Sequence, residues 1–201
     1  MQEGRILSLF VEGETEYHFY KKLLFHYSLN NGKHICQKIF IKKAKGIGNF
    51  QKKVPKKFKT EILDKFPNST HSVFLAYDTD VFDFNINPPI NWSSIEKSIR
   101  ELGVKYIFHL KAEKSIEDFF LEDVDGLCEY LGISSQKVPK GKDSVKKIKL
   151  LFDKGSKIYQ KGYTYKFLEK LDFAKILNKR SNVFWKLRLG LYDFEFPKER
   201  K

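Results

Sequence analysis

An apolar run near the start of the chain ends abruptly at an acidic residue. Residues 6–11 spell ILSLFV, and Glu12 and Gly13 follow them before a polar turn and a helical pattern. Such a run predicts a buried strand that ends at the carboxyl edge of a sheet, which is where open α/β sheets bind their ligands. Glu16 lies four residues after Glu12, so a helix that begins at the turn would let both carboxylates face one site.

Segments with the apolar spacing of strands alternate with segments that have the spacing of helices. The predicted strands cover residues 6–11, 35–43, 72–77 and 104–110, and the predicted helices cover residues 14–28, 50–66 and 92–102, with another from Ser115. This order predicts an α/β fold with a parallel sheet of about four strands flanked by helices. Pro55 requires the second helix either to begin near it or to kink there. Asn91 or Ser93 is expected to cap the third helix.

The chain changes character after about residue 132. Residues 136–162 are rich in Lys, residues 163–177 have helical apolar spacing, and residues 183–201 are expected to end in a polar tail. No internal repeat or low-complexity linker separates the two parts. We therefore expect residues 133–201 to form a basic, mainly helical extension that packs on the same core as the domain formed by residues 1–132.

The composition favours a folded protein that binds a polyanion. Hydrophobic residues make up 41% of the 201 residues, and the formal net charge is +13, which favours nucleic acid as the partner. A soluble protein from a Lys-rich proteome is the alternative. No run reaches the ~20 apolar residues of a membrane span, no secretory signal is evident, and two distant cysteines suit a reducing cytoplasm.

Clusters of lysine are the candidates for contact with phosphate groups, which position nucleic acid without reading its sequence. The predicted nucleic-acid-binding residues are Lys45, Lys52, Lys53, Lys56, Lys140 and Lys142. The alternative for many of them is a solvated helix face.

Two further acidic groups follow predicted strands. Asp78 and Asp80 come directly after SVFLAY, and in an extended segment residues i and i+2 point to one side. Their carboxylates repel each other unless a cation lies between them, and hard oxygen ligands suit Mg²⁺ or Mn²⁺. A turn at the strand end is the alternative. Glu117 and Asp118 follow the fourth strand in the same way, with a helix cap as the alternative.

These residues resemble the motifs of the Toprim domain, the topoisomerase–primase fold, over about residues 5–125. The matching segments are VEGETE at residues 11–16, the strand ending in DTD at 78–80, and SIED at 115–118. The likeness is to the nuclease branch, which includes OLD-family nucleases and the small RloB-like proteins of bacterial defence systems. The motif residues are Glu12, Glu16, Asp78, Asp80, Ser115 and Glu117.

The resemblance implies a Mg²⁺- or Mn²⁺-dependent nuclease with two metal ions. Glu12, Asp78 and Asp80 would hold one ion. Glu16 and Glu117, supported by Ser115, would help to hold the second. Nucleases of this branch also use a lysine further along the chain, for which Lys161 in YQKGY is the candidate.

Lys140 and Lys142 are alternative candidates for the catalytic lysine. No Walker-type phosphate-binding motif is present, so any ATPase would be a separately encoded partner. The resemblance also allows a homodimer and a role in anti-phage or abortive-infection defence. The competing functions are a Toprim-like module that binds nucleic acid or a partner without turnover, and a fragment of a topoisomerase or primase.

Overall fold

A computed structural model of the chain describes residues 4–30, 36–79, 90–163 and 165–192. The strands in these ranges are β1 (Arg5–Val11), β2 (Cys36–Lys43), β3 (Thr70–Asp78) and β4 (Tyr106–Ala112). The α-helices in these ranges are α1 (Glu14–Asn30), α2 (Phe50–Glu61), α3 (Trp92–Arg100), α4 (Glu117–Phe120), α5 (Val124–Leu131), α6 (Ser144–Lys154), α7 (Tyr165–Leu168), α8 (Phe173–Lys179) and α9 (Ser181–Leu191). Short 3₁₀ turns lie at Ile47–Asn49, Leu63–Lys65 and Leu121–Asp123.

The four strands form one parallel sheet in the order β2-β1-β3-β4. This confirms the predicted α/β class with helices on both sides of a parallel sheet. Val11 at the end of β1 pairs with Ala76 of β3, and Asp78 pairs with Ala112 at the end of β4. The residues that follow these strand ends therefore meet at one edge of the sheet.

Alternate residues of the central strands face two separate hydrophobic clusters. Leu7 and Leu9 of β1 belong to the cluster that includes α1 and the C-terminal helices. Ile6 and Phe10 belong to the cluster that includes α2 and α3. The two-residue period of a strand produces this division, because successive side chains point to opposite faces.

The C-terminal helices pack directly against the first face of the sheet. Phe184 and Leu187 of α9 are buried in the same cluster as Phe19 of α1. A Cβ atom on Gly190 would lie 2.9 Å from the ring of Phe74 in β3, so a glycine is needed for this close approach. No helix in the described ranges is long and apolar enough to cross a bilayer.

Three details of the helices bear on the sequence expectations. α2 spans Phe50–Glu61 with Pro55 inside it, so the helix does not begin near Pro55, and it ends before the predicted limit at residue 66. Residues 163–177 form two helices rather than one, since Asp172 accepts a hydrogen bond from the backbone of Lys175 and starts α8 afresh. α9 covers the first part of residues 183–201, and the polar tail predicted at the end of this stretch falls in residues 193–201, outside the described ranges.

Candidate metal centre

Glu12 joins the ends of the two central strands. It follows β1 directly, and its Oε1 accepts a 2.8 Å hydrogen bond from the backbone N–H of Asp78 at the end of β3. The backbone carbonyl of Glu12 accepts a hydrogen bond from Gly46, which also ties the loop after β2 to this edge. Glu12 thus lies where the sequence places it, and one of its oxygens is bonded to the backbone of the neighbouring strand.

Asp78 and Glu117 each contain a buried oxygen that lacks a hydrogen-bond partner. Asp78 is 5% exposed and Glu117 is fully buried. Within the described residues, Oδ1 of Asp78 and Oε2 of Glu117 have no donor. An anionic oxygen that is buried without a partner is costly. The strand ends thus present two carboxylates whose unpaired oxygens can accept an added cation or proton.

The pKa of Asp78 is raised to about 9. Burial is the largest cause, followed by the negative charges of Glu16, Glu12 and Glu117, while the positive charge of Lys161 acts in the opposite direction. Asp78 therefore holds its proton at neutral pH when no metal is bound. A cation that binds there has to displace that proton.

Glu16 completes the acidic group from the first turn of α1. Its Oε2 accepts a 2.8 Å hydrogen bond from the backbone N–H of Gly13, so the side chain closes the turn that leads from β1 into the helix. Burial raises the pKa of Glu16, and Glu117 contributes in the same direction, whereas Lys161 lowers it. The helix spacing predicted from the sequence therefore brings Glu16 into the same electrostatic environment as the strand-end acids.

Lys161 is the lysine that lies within reach of these acids. Its Nζ is 3.6 Å from Oε1 of Glu117 and 3.9 Å from Oδ2 of Asp78, and its side chain is half exposed. Lys140 and Lys142 are exposed and precede α6, and no ion pair with the strand-end acids is seen for either within the described part of the chain. Of the three lysines considered, the structure brings Lys161 to the site.

Two further residues hold the segment that contains Lys161 against the sheet edge. The hydroxyl of Tyr159 donates a 2.7 Å hydrogen bond to Oε1 of Glu117. The backbone N–H of Gly162 donates a 2.8 Å hydrogen bond to Oγ1 of Thr15. The sequence analysis missed both residues, although Thr15 lies between two acids of the first motif and Tyr159 precedes Lys161 by two residues.

Ser115 and Asp118 shape the loop that leads to Glu117. Ser115 is buried, and its backbone N–H donates to Oδ2 of Asp118, which also accepts from the backbone of Lys114. The hydroxyl of Ser144 donates to the other oxygen of Asp118. Asp118 therefore has a structural role in this turn, while Glu117 enters the acidic group.

The other predicted residues lie at different distances from the centre. Asp80 is outside the described residues. Lys45 is exposed, in the loop that hydrogen-bonds to the end of β1, so it borders the site. Lys52, Lys53 and Lys56 lie on α2, which covers the face of the sheet opposite to α1 and the C-terminal helices.

No three acidic, histidine or cysteine side chains of the described residues are already arranged as a metal cage. The ion pairs of Lys161 and the hydrogen bond that Glu12 accepts from the backbone of Asp78 engage oxygens that a metal would need. The residues nonetheless fit a hard divalent cation, because they supply carboxylate oxygens and two of these are buried without a donor. Glu12, Glu16, Asp78 and Glu117 are the described side chains that could hold it.

Searches with this chain found no matching protein-family model, curated protein or solved structure.

Proposed function

We propose that this chain is a metal-dependent nuclease that hydrolyses phosphodiester bonds, as its resemblance to Toprim nucleases implies. The observation that supports the proposal most strongly is the pair of buried, unpartnered oxygens on Asp78 and Glu117. Burial of a carboxylate oxygen without a hydrogen-bond partner is costly. A site that binds Mg²⁺ or Mn²⁺ gives these oxygens a ligand, and so accounts for their presence.

The proposed ligands follow the motif order. Glu12, Asp78 and Asp80 would hold one ion, and Glu16 and Glu117 would hold a second with support from Ser115. Two bound ions would stabilise the attacking and leaving oxygens of an in-line displacement. The protein itself supplies the rest of the site, in which the ends of β1 and β3 and the start of α4 set the positions of the carboxylates.

Lys161 would stabilise the negative charge of the phosphoryl group. Its side chain is half exposed and its ammonium group lies beside two of the proposed ligands, so a phosphate bound at the acids would lie within its reach. A cation held where charge develops in the transition state contributes strongly to the rate. The net charge of +13 would attract the substrate, and Lys45 is placed to contact phosphates at the edge of the site.

A binding module without turnover is the second candidate function. The ion pair between Lys161 and Glu117 favours a binding module, because it partly neutralises this carboxylate without any metal. The clustered acids disfavour a binding module. They would repel the phosphates of a polyanion and weaken its binding unless a cation lay between the acids and the phosphates. A role in anti-phage defence, with a separately encoded ATPase or as a homodimer, is proposed on the resemblance.

The test is a cleavage assay on supercoiled plasmid, single-stranded DNA, tRNA and long RNA, each with Mg²⁺, Mn²⁺ or EDTA. We expect cleavage that needs a metal and is lost in Asp78→Asn and Glu117→Gln. The matched control is Glu101→Gln, which neutralises an exposed acid at the end of α3. Mn²⁺ binding is measured on the same proteins by calorimetry.

The calorimetry decides how a negative assay is interpreted. No cleavage together with no Mn²⁺ binding would contradict the nuclease proposal and favour the binding module. Mn²⁺ binding that depends on Asp78, without cleavage, would indicate that a partner is needed for activity.

A further inference from the structure

Three large apolar side chains in and around the segment that contains Lys161 are exposed. Ile158 is 90% exposed, Tyr163 is 69% exposed and Tyr165 is 46% exposed. We call Tyr163 and Tyr165 the aromatic rim. Single exposed apolar residues are ordinary on protein surfaces, but a group of them beside a candidate catalytic centre indicates a binding surface.

Packing does not account for the exposed rings, because other aromatic residues of the same region supply the core contacts. Tyr159 and Phe167 are buried, and their rings contact each other and Phe152. The aromatic residues that anchor the segment are therefore different from Tyr163 and Tyr165. The two exposed tyrosines remain available to a ligand.

Contacts with α1 place the aromatic rim next to the acids. Gly162 hydrogen-bonds to Thr15, and a Cβ on Gly162 would lie 3.6 Å from Cβ of Glu14, so the backbone beside Tyr163 lies against the first turn of α1. The ring of Tyr165 is 6.0 Å from the ring of His18 on the next turn. Glu16 enters the candidate centre from this same part of α1.

We propose that Tyr163 and Tyr165 stack against unpaired bases, so that the substrate is a single-stranded nucleic acid or a single-stranded part of one. The inference rests on the proposed function, because it assigns a substrate class to the same site. A base offers its face to an aromatic ring only when it is not stacked within a duplex. Lys161 is in the same segment and is placed to contact the phosphate of a strand whose bases lie on the rim.

The test measures binding separately from cleavage, with fluorescence anisotropy in EDTA and again with Ca²⁺. The probes are labelled single-stranded DNA and RNA of about 12 nucleotides, and a duplex of the same sequence. We expect the unchanged protein to prefer a single strand, and the DNA and RNA arms to show which kind it prefers. Tyr163→Ala should weaken single-strand binding by about tenfold, within the range for the loss of one base–aromatic stack, and leave duplex binding unchanged.

Two variants make the result specific. Tyr163→Trp should bind a single strand as well as the unchanged protein, because stacking needs the ring and not the hydroxyl. Tyr106→Ala is the control, since Tyr106 is also an exposed tyrosine, 38% exposed, but lies at the start of β4 and so at the opposite edge of the sheet. It should not change binding.

The inference is overturned if duplex binds as tightly as single strands in both buffers, if no probe binds, or if a Tyr163→Ala, Tyr165→Ala double variant binds single strands normally. The proposed function fails separately, through the absence of both cleavage and Mn²⁺ binding. Rapid cleavage of duplex by a protein with no single-strand preference would support the nuclease proposal and overturn only the inference of a single-stranded substrate.

Discussion

The hydroxyl of Tyr159 donates a 2.7 Å hydrogen bond to Oε1 of Glu117, which lies 42 positions earlier in the chain. The same oxygen lies 3.6 Å from Nζ of Lys161. Its partner oxygen, Oε2, has no donor among the described residues. The C-terminal part of the chain therefore holds Oε1 of this carboxylate, and Oε2 can still accept a cation.

We expect Tyr159→Phe to weaken Mn²⁺ binding by about tenfold, since losing a hydrogen bond to a metal ligand typically costs 10- to 100-fold in affinity. The substitution removes the hydroxyl and keeps the ring that packs on Phe152. Calorimetry measures the change. The control is Tyr130→Phe, because Tyr130 also packs against Phe152. Equal losses in the two variants would attribute the effect to packing and not to Glu117.

Thr15→Val should lower the cleavage rate by about fivefold, while Thr15→Ser should leave it nearly unchanged. Valine has the shape of threonine but cannot accept the hydrogen bond from Gly162, and a lost hydrogen bond costs about 1 kcal/mol. Serine retains the oxygen. The readout is kcat against KM, measured with the thermal stability of each variant. A serine variant as impaired as the valine variant would show that the hydrogen bond does not position Lys161.

Lys161→Met should reduce cleavage by about 100-fold, the loss expected when one charge-stabilising group is removed from a transition state. Mn²⁺ should still bind, because the carboxylates remain. Lys140→Met and Lys142→Met are matched controls in which an exposed lysine is replaced, and both should retain cleavage. Activity in Lys161→Met with loss in either control would transfer the catalytic role to that lysine.

The raised pKa of Asp78 predicts how stability depends on pH in the absence of metal. The unfolded carboxyl has a pKa near 3.9 and the folded one a pKa of about 9, so the folded chain binds more protons between these values. The stability contributed by the protonated form is fully present below about pH 4 and is lost as the pH rises through about 9.

Asp78→Asn should therefore melt at a higher temperature than the unchanged protein at pH 8 in EDTA. We expect a difference of at least about 3 °C, which corresponds to about 1 kcal/mol for a chain of this size. The difference should shrink towards pH 5, and added Mn²⁺ should raise the melting temperature of the unchanged protein more than that of the variant. A lower melting temperature for Asp78→Asn at pH 8 would instead show that its ion pair with Lys161 stabilises the fold.

The fold and one edge of the site follow from local sequence patterns. Apolar runs of strand length that alternate with helical spacing specify a parallel sheet, and the carboxyl ends of parallel strands share an edge. The positions of Glu12 and Asp78 could be predicted for that reason. The cap at Asn91 was also predictable, because its side chain accepts a hydrogen bond from Ser94 only three residues away.

Elements whose limits depend on distant packing were predicted less well. The helical pattern of residues 163–177 divides at Asp172, whose backbone N–H also donates to Oδ2 of Asp123, 49 positions away in the chain. There a local pattern suggested one helix and the tertiary structure selected two. α9 likewise depends on distant contacts, since Phe184 packs against Phe19 of α1 and Phe119 of α4.

The sequence by itself determined the α/β sheet and the edge at which its acids collect, because strand and helix periods are local properties of the chain. The tertiary structure alone decided which lysine meets those acids. Lys161, Lys140 and Lys142 look alike in a basic segment, and only the contacts of Tyr159 with Glu117 and of Gly162 with Thr15 distinguish them. Contacts between residues so distant in sequence arise when the C-terminal helices bury their apolar faces on the sheet, which no local pattern specifies.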